Sequence, residues 1–316
     1  MKEKPLLLCV GGPTGAGKTA LAIELYLRHG WPIVSADSRQ IYRYLDIGTN
    51  KIPQTLQAQI PHFLIDICEP SEPYSAGEFA RSVEALITQW SVPVVQIVGG
   101  TGFYMEALLY GLDAVPPIPP EIRRQAESWL QNAGLYEVVQ WLKAHDPLTA
   151  SRIDLANPRR VLRAVEVLQA TGKPWVSFWT GKRVRRYRAL EVVISLERPI
   201  LHEAIAQRTR LQIAAGWLEE TIFVLQKGYS PTAPGLQTLG YKECLAVLRG
   251  ELSQSALPEA IIAANRQYAR RQLTWWRGHP PDMWLEGENL STQVQLIEGA
   301  VFRLLEKGAE EEGELL

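Results

Sequence analysis

The sequence predicts an α/β protein: a buried parallel sheet covered by helices and interrupted once by an all-helical insertion. Three observations carry this reading. Short apolar runs stop at glycines or polar turns, the segments between them are long enough for crossover helices, and one long stretch replaces strand patterning with helical patterning. The first strand is Leu6-Leu7-Leu8-Cys9-Val10, which stops at Gly11-Gly12. A helix follows from Gly17 to Arg28, with Ala20, Leu21, Ala22, Leu25 and Leu27 as its apolar positions. Further strands are expected at Ile33 to Ala36, His62 to Asp66, Val92 to Val98 and Glu191 to Leu196.

The insertion opens at Val115-Pro116-Pro117-Ile118-Pro119-Pro120 and closes on the basic run Lys182 to Arg188. Between Glu121 and Ala189 there are 13 Lys+Arg against six Asp+Glu, a local excess of positive charge. The expected organisation is therefore a core in two parts, 1–115 and 190–316, around a basic helical insertion, 116–189. The acidic, Glu/Gly-rich end from Glu306 to Leu316 is expected to fray.

Composition bounds the function. With 316 residues, 46% hydrophobic and 21% charged, the chain is neither disordered nor fibrous. Lys+Arg and Asp+Glu number 33 and 34, so a basic coat for nucleic acid is absent globally and charge has to be read by segment. Cys9, Cys68 and Cys244 are far apart and match no metal-ligand spacing, which suits a reduced cytosolic setting. No apolar run approaches the roughly 18 residues of a membrane span, so a cytoplasmic protein without a signal peptide is expected.

Gly12-Pro13-Thr14-Gly15-Ala16-Gly17-Lys18-Thr19 fits GxxxxGK[ST], set between a predicted strand and a predicted helix. In such a loop the backbone N–H groups turn toward phosphate oxygens at a helix N-terminus. Lys18 neutralises charge and the Thr19 hydroxyl is placed to ligate Mg²⁺. A diphosphate on any carrier offers the same oxygens as a nucleotide, so a triphosphate is not implied. The second strand runs into Asp37-Ser38-Arg39-Gln40. Residues just past the carboxyl ends of parallel strands line the ligand crevice, so Asp37 should face the phosphates. Its carboxylate there is a general base, a Mg²⁺ holder through water, or only the cap of a following helix. Gly99-Gly100-Thr101-Gly102 is a third turn at the same edge.

At these residues the sequence resembles the bacterial tRNA dimethylallyltransferase family. The resemblance rests on GPTGAGKT from Gly12 to Thr19, SADSRQIY from Ser35 to Tyr42, LDIGTNK from Leu45 to Lys51 and GGTGFY from Gly99 to Tyr104. It continues through HDPLTASRI from His145, RRVLRAVEV from Arg159, LGYKE from Leu239 and RQYARRQLTWWR from Arg266. Asn50, Asn157 and Asn265 depart from the common pattern. The resemblance implies a P-loop NTPase-like core with a helical insertion domain. It also implies Mg²⁺-assisted transfer of a dimethylallyl group from dimethylallyl diphosphate to the exocyclic amine of the adenosine immediately 3′ of the anticodon, position 37 of tRNA. Cys/His ligand spacing is missing after Arg277, so the zinc finger of eukaryotic relatives is not expected.

By the same resemblance Asp37 accepts the amine proton and, with Ser38, Arg39, Gln40 and Thr101, contacts the target base. Lys18, Thr19 with Mg²⁺, and Arg208 stabilise the leaving diphosphate, and Thr101 joins the catalytic set. A base buried in an anticodon stem-loop has to leave its stack, so a surface gripping the neighbouring phosphates is needed. Arg159, Arg160 and Arg163 recur at helical spacing after Asn157-Pro158. Arg266, Arg270 and Arg277 share a face of a later helix, and Arg271 pairs with Trp275 at i,i+4. Arg123, Gly240, Tyr241 and Gln272 complete the expected tRNA contacts, and Trp276 is left to core packing. A P-loop kinase for a small metabolite is the competing reading, in which the loop holds ATP, although such an enzyme has no need of a basic C-terminal helix. No heptad seam is present, so a monomer is expected.

Overall fold

The computed structural model describes residues 4–179, 181 and 184–313, the last six by backbone alone. Lys182, Arg183 and Glu314 to Leu316, which belong to the basic run and the acidic end discussed above, lie outside the described residues. Two compact units are present, one formed by Met1–Gly111 with Arg185–Leu316 and the other by Leu112–Val184. The second unit starts and stops a few residues earlier than the expected 116–189. Tyr187 is buried in the core of the first unit, the Arg186 N–H donates to the Leu109 carbonyl at 2.7 Å, and Ala189 already opens a strand.

The first unit is an α/β layer built on six parallel strands: β1 (Leu6–Gly11), β2 (Ile33–Ser35), β3 (His62–Phe63), β4 (Val94–Val98), β5 (Ala189–Ser195) and β6 (Met283–Glu286), in the order β3-β2-β4-β1-β5-β6. β1 sits at the centre, with Leu8 opposite both Gln96 and Leu190. The two-residue alternation of a strand sends Leu6, Leu8 and Val10 to one face and Leu7 and Cys9 to the other. The first face packs on helices Lys18–His29 and Leu290–Gly313, the second on helices Ala76–Gln89 and Gly102–Tyr110. Gln96 is a polar intruder in this core; its amide nitrogen donates to the Ala22 and Trp31 carbonyls at 3.1 and 3.0 Å.

Because every strand is parallel, Gly11, Ser35 and Val98 all end at one edge of the sheet. β6 was not expected from the sequence. Only Leu285 of its four residues is buried, so it has no apolar run to advertise it, and pairing with β5 is what makes it a strand. The end expected to fray continues as helix through Gly313. A satellite core of Trp217, Tyr241, Leu236, Cys244 and Ile261, joined by Ile41 and Leu45, sits under the loops that follow β2.

The second unit is helical, as patterned: Pro120–His145, broken at Gly134 (φ 80°), then Pro147–Ala150 and Pro158–Thr171. Asn157 caps the last of these by accepting from the Arg159 and Arg160 N–H groups, with Pro158 in the first turn. Val138, Leu142, Val161, Ala164 and Val165 form its own core.

Candidate active site

β1 delivers the P-loop. Gly12 has φ 138°, and a Cβ there would stand 2.1 Å from the Ile194 carbonyl of β5, so only glycine lets the chain turn here. Lys18 folds back over the loop and donates to the Gly12 and Pro13 carbonyls at 3.0 and 2.7 Å. Burial lowers its pKa to about 8; the neighbouring Arg208 pushes the same way and Asp37 opposes both. Thr19 follows in the first helical turn with its side chain exposed.

Arg208 comes from the helix Arg198–Ala214, nearly 200 residues downstream, and its guanidinium donates to the Thr14 hydroxyl at 2.7 Å. Its Nε is buried without a partner, and burial lowers its pKa, with Arg39 acting in the same sense and Asp37 against it. A cation so placed beside the P-loop is short of negative charge.

Asp37 leaves the end of β2 and faces this pair. One carboxylate oxygen accepts from the Arg39 N–H at 2.9 Å, closing a local turn. Residues 38–41 are turns and not a helix, so the cap reading of Asp37 fails: there is no helix for it to cap. Thr101 braces the same turn, its hydroxyl accepting from the Ser38 N–H at 3.1 Å while its own N–H donates to the Ala36 carbonyl. Gln40 is drawn inward, accepting from the Ser35 hydroxyl and donating to the Thr49 and Asn50 carbonyls.

Lys18, Arg208 and Asp37 line one cleft, open to solvent, whose other walls are Thr14, Arg39 and Gly100 with Gly48, Thr49 and Asn50 from the loop after β2. The remaining wall is the helix Leu257–Gly278, which presents Asn265, Tyr268 and Gln272. Tyr268 was not singled out in the sequence. Its ring lies under the Arg39 guanidinium at 4.1 Å, and burial raises its phenol pKa. Its spacing of three from Asn265 and four from Gln272 was the available signal.

Several residues expected to contact tRNA also have partners within the protein. Gln272 is 5% exposed because its face of the helix packs on the P-loop: Oε1 accepts from the Thr14 N–H and Nε2 donates to the Gly100 carbonyl, both at 2.9 Å. Tyr241 is fully buried in the satellite core, and the space a Gly240 side chain would need is filled by Trp217. Trp275 lies against Gly102, stacks on His279 at 4.0 Å and meets Phe103 edge-on. Trp276 is core, as expected. Arg266 is half-buried, reaching the His202 carbonyl at 3.5 Å, whereas Arg270, Arg271 and Arg277 are exposed. In the helical unit Arg123, Arg159 and Arg160 are exposed, and Arg163 is half-buried with Glu166 at 3.5 Å.

A family model described as IPP transferase matches residues 40–279, and one described as isopentenyl transferase matches residues 6–65. The chain belongs to the IPP transferase family. Relatives within it include the tRNA dimethylallyltransferases of Synechococcus sp. (39% identity, 92% of this chain and 85% of the relative) and Trichormus variabilis (39%, 90% and 95%). Among solved structures of the family, the tRNA isopentenylpyrophosphate transferase of Bacillus halodurans superposes with a TM-score of 0.72 at 28% identity, covering 98% of this chain and 100% of that one. A eukaryotic dimethylallyltransferase acting on tRNA gives a TM-score of 0.76 at 25% identity over 92% of this chain and 75% of that one. The P-loop NTPase-like fold expected from the sequence is the fold of this family. Among the described residues, no helix is long and apolar enough to cross a membrane.

Proposed function

We infer that the protein transfers the dimethylallyl group of dimethylallyl diphosphate to the exocyclic amine of adenosine 37 in tRNA, releasing diphosphate. The observation that carries this is the convergence of Lys18, Arg208 and Asp37 on one cleft in a chain of the IPP transferase family. A small-molecule kinase, the other reading of the P-loop, is not favoured by that membership.

In this reaction the allylic C–O bond breaks, an N–C bond forms, and one amine proton departs. The leaving diphosphate gathers negative charge, which the P-loop N–H groups, Lys18 and Arg208 are placed to receive. Burial is the main cause of their depressed pKa values, and a bound anion would oppose it. An adenine amine is a weak nucleophile, so a base is needed beside it, and the Asp37 carboxylate takes the proton. Thr101 and Ser38 hold the turn that aims it. Mg²⁺ suits the donor chemistry here, hard oxygens from the exposed Thr19 hydroxyl and through water from Asp37. Among the described residues no cluster of three His, Cys, Asp or Glu side chains forms a site of its own, so the ion would rely on substrate oxygens as well. It would neutralise diphosphate charge.

Exposed Arg270, Arg271 and Arg277 on the helix Leu257–Gly278, and Arg123, Arg159 and Arg160 in the helical unit, suit phosphates of an anticodon stem-loop. The same reading has the enzyme working as a monomer in the cytoplasm. The direct test is mass spectrometry of nucleosides from tRNA incubated with the protein, Mg²⁺ and dimethylallyl diphosphate. N6-isopentenyladenosine is the expected product, and unmodified adenosine throughout would overturn the reading.

Two variants examine the parts separately. Arg208→Ala removes the guanidinium on Thr14 and is expected to weaken inorganic diphosphate binding by about tenfold and turnover by about 10²-fold. Calorimetric titration showing parental affinity would take Arg208 out of the site. Arg270→Ala combined with Arg271→Ala is expected to lower the slope of log affinity for tRNA against log salt by roughly one to two, since each lost phosphate contact no longer releases a counterion. An unchanged slope in filter binding would return both side chains to an ordinary solvated helix face.

A further inference from the structure

The loop Asp46–Asn50 follows the Asp37 turn and lends Gly48, Thr49 and Asn50 to the cleft wall. Three consecutive amides of this loop point the same way, onto one carboxylate from a distant helix, Trp217–Gln226. Glu220 Oε2 accepts from the Asp46 and Ile47 N–H groups at 2.8 Å each, and Oε1 accepts from the Gly48 N–H at 3.2 Å and from the Tyr241 hydroxyl at 2.6 Å. A half-buried carboxylate with four donors is fully committed, and it has no hydrogen-bonding capacity left for a substrate.

The surroundings leave the loop no alternative course. A Cβ on Gly48 would stand 2.2 Å from the Trp217 indole nitrogen, so the backbone is pressed directly on the satellite core. Gln212 donates to the Ile47 carbonyl, and the loop ends on Lys51, whose buried ammonium is shared by Asp46, Asp66 and the Tyr42 carbonyl. On its inner side the loop offers the Thr49 and Asn50 carbonyls to Gln40, three residues beyond Asp37. Asn50 there takes the left-handed backbone (φ 55°), which asparagine tolerates better than most residues.

We propose that Glu220 is a positioning residue of the transfer reaction: by gripping the Asp46–Gly48 amides it fixes the loop that, through Gln40, sets the Asp37 turn on the acceptor side of the cleft. It touches neither substrate. Its influence runs to the side that receives the base and not to the P-loop, where Lys18 and Arg208 have their own anchors in the Gly12 and Pro13 carbonyls and the Thr14 hydroxyl. The proposal rests on the transferase reading of the cleft.

The experiment compares the parent with Glu220→Ala, Glu220→Gln and Tyr241→Phe, measuring kcat and KM for tRNA in transfer assays and affinity for inorganic diphosphate by calorimetry. Glutamine keeps one oxygen for the Asp46 and Ile47 amides but turns an NH₂ group toward Gly48, so its defect should lie between those of the other two variants. Expected are losses in kcat/KM for tRNA of about 10²-fold for Glu220→Ala, about tenfold for Glu220→Gln and a few-fold for Tyr241→Phe, with diphosphate affinity within about twofold of parent. Parental kcat/KM in Glu220→Gln would overturn the proposal. So would a loss of diphosphate affinity matching the loss of transfer, which marks general support of the fold. If Glu220→Ala does not fold, the other two variants decide. A parent enzyme that fails to transfer would instead sink the transferase reading itself, and the two failures are therefore distinct.

Discussion

Replacing Lys18 with alanine is expected to lower single-turnover transfer by about 10³-fold or more, the largest effect of any single change in the cleft. In the proposed reaction Lys18 is the cation that would meet the charge of the departing diphosphate, and two carbonyls of its own loop hold it, at 3.0 and 2.7 Å. Burial already depresses its pKa to about 8, so the protein has withdrawn this ammonium from water in advance of the anion. Arg208 does not replace it, because its guanidinium is held at a different point of the loop, the Thr14 hydroxyl. tRNA affinity should stay within a few-fold, since the exposed arginines of the helix Leu257–Gly278 are separate from the loop. Normal turnover would remove the P-loop from the chemistry.

Asp37→Asn is expected to cut turnover by on the order of 10²-fold or more with tRNA affinity little changed. The substitution is conservative in shape. Asparagine keeps the acceptor for the Arg39 N–H that closes the turn, and loses only charge and the capacity to take a proton. Asp37 also raises the pKa of Lys18, so its removal lowers that value further below about 8. A pH series on the acid side of that value therefore separates the loss of the base from any loss of charge on Lys18. Single-turnover transfer across a Mg²⁺ titration separates the two carboxylate roles. A rate restored to near the parental value at high Mg²⁺ would count against base catalysis, and an unimpaired rate would leave Asp37 with only its turn.

The cleft was legible in the sequence where chemistry is written into a contiguous segment. The P-loop, the Asp37 turn and the Gly99–Gly102 turn each follow an apolar strand, and parallel strands oblige them to meet at one edge. Residues that arrive from afar were harder to read. Arg208 could be placed only through resemblance, and Tyr268 passed as one more residue in a basic helix until the fold set its ring beneath Arg39. Glu220 gave no signal, because a surface-like glutamate in a helix looks the same whether it meets water or three amides more than 170 residues away. The settings of Tyr241 and Gln272 were not legible for a related reason: a motif fixes which residue occurs, but only packing decides which way its side chain turns. β3 and β6 were mistaken in extent or missed because two and four residues are too few to display a period.

The amide of Thr14 has a single hydrogen, and Gln272 already uses it while gripping Gly100 with its other end. A phosphate oxygen that claims this hydrogen must take it from a side chain on the same helix that carries Arg270 and Arg271. In the proposed reading, occupancy of the loop and the seating of that helix would be coupled through this one bond. Thermodynamic reciprocity then applies: whatever factor diphosphate imposes on RNA affinity by freeing Gln272, RNA imposes on diphosphate affinity in return. Two substrates meeting in one cleft would keep account of each other even before any atom of one touches the other.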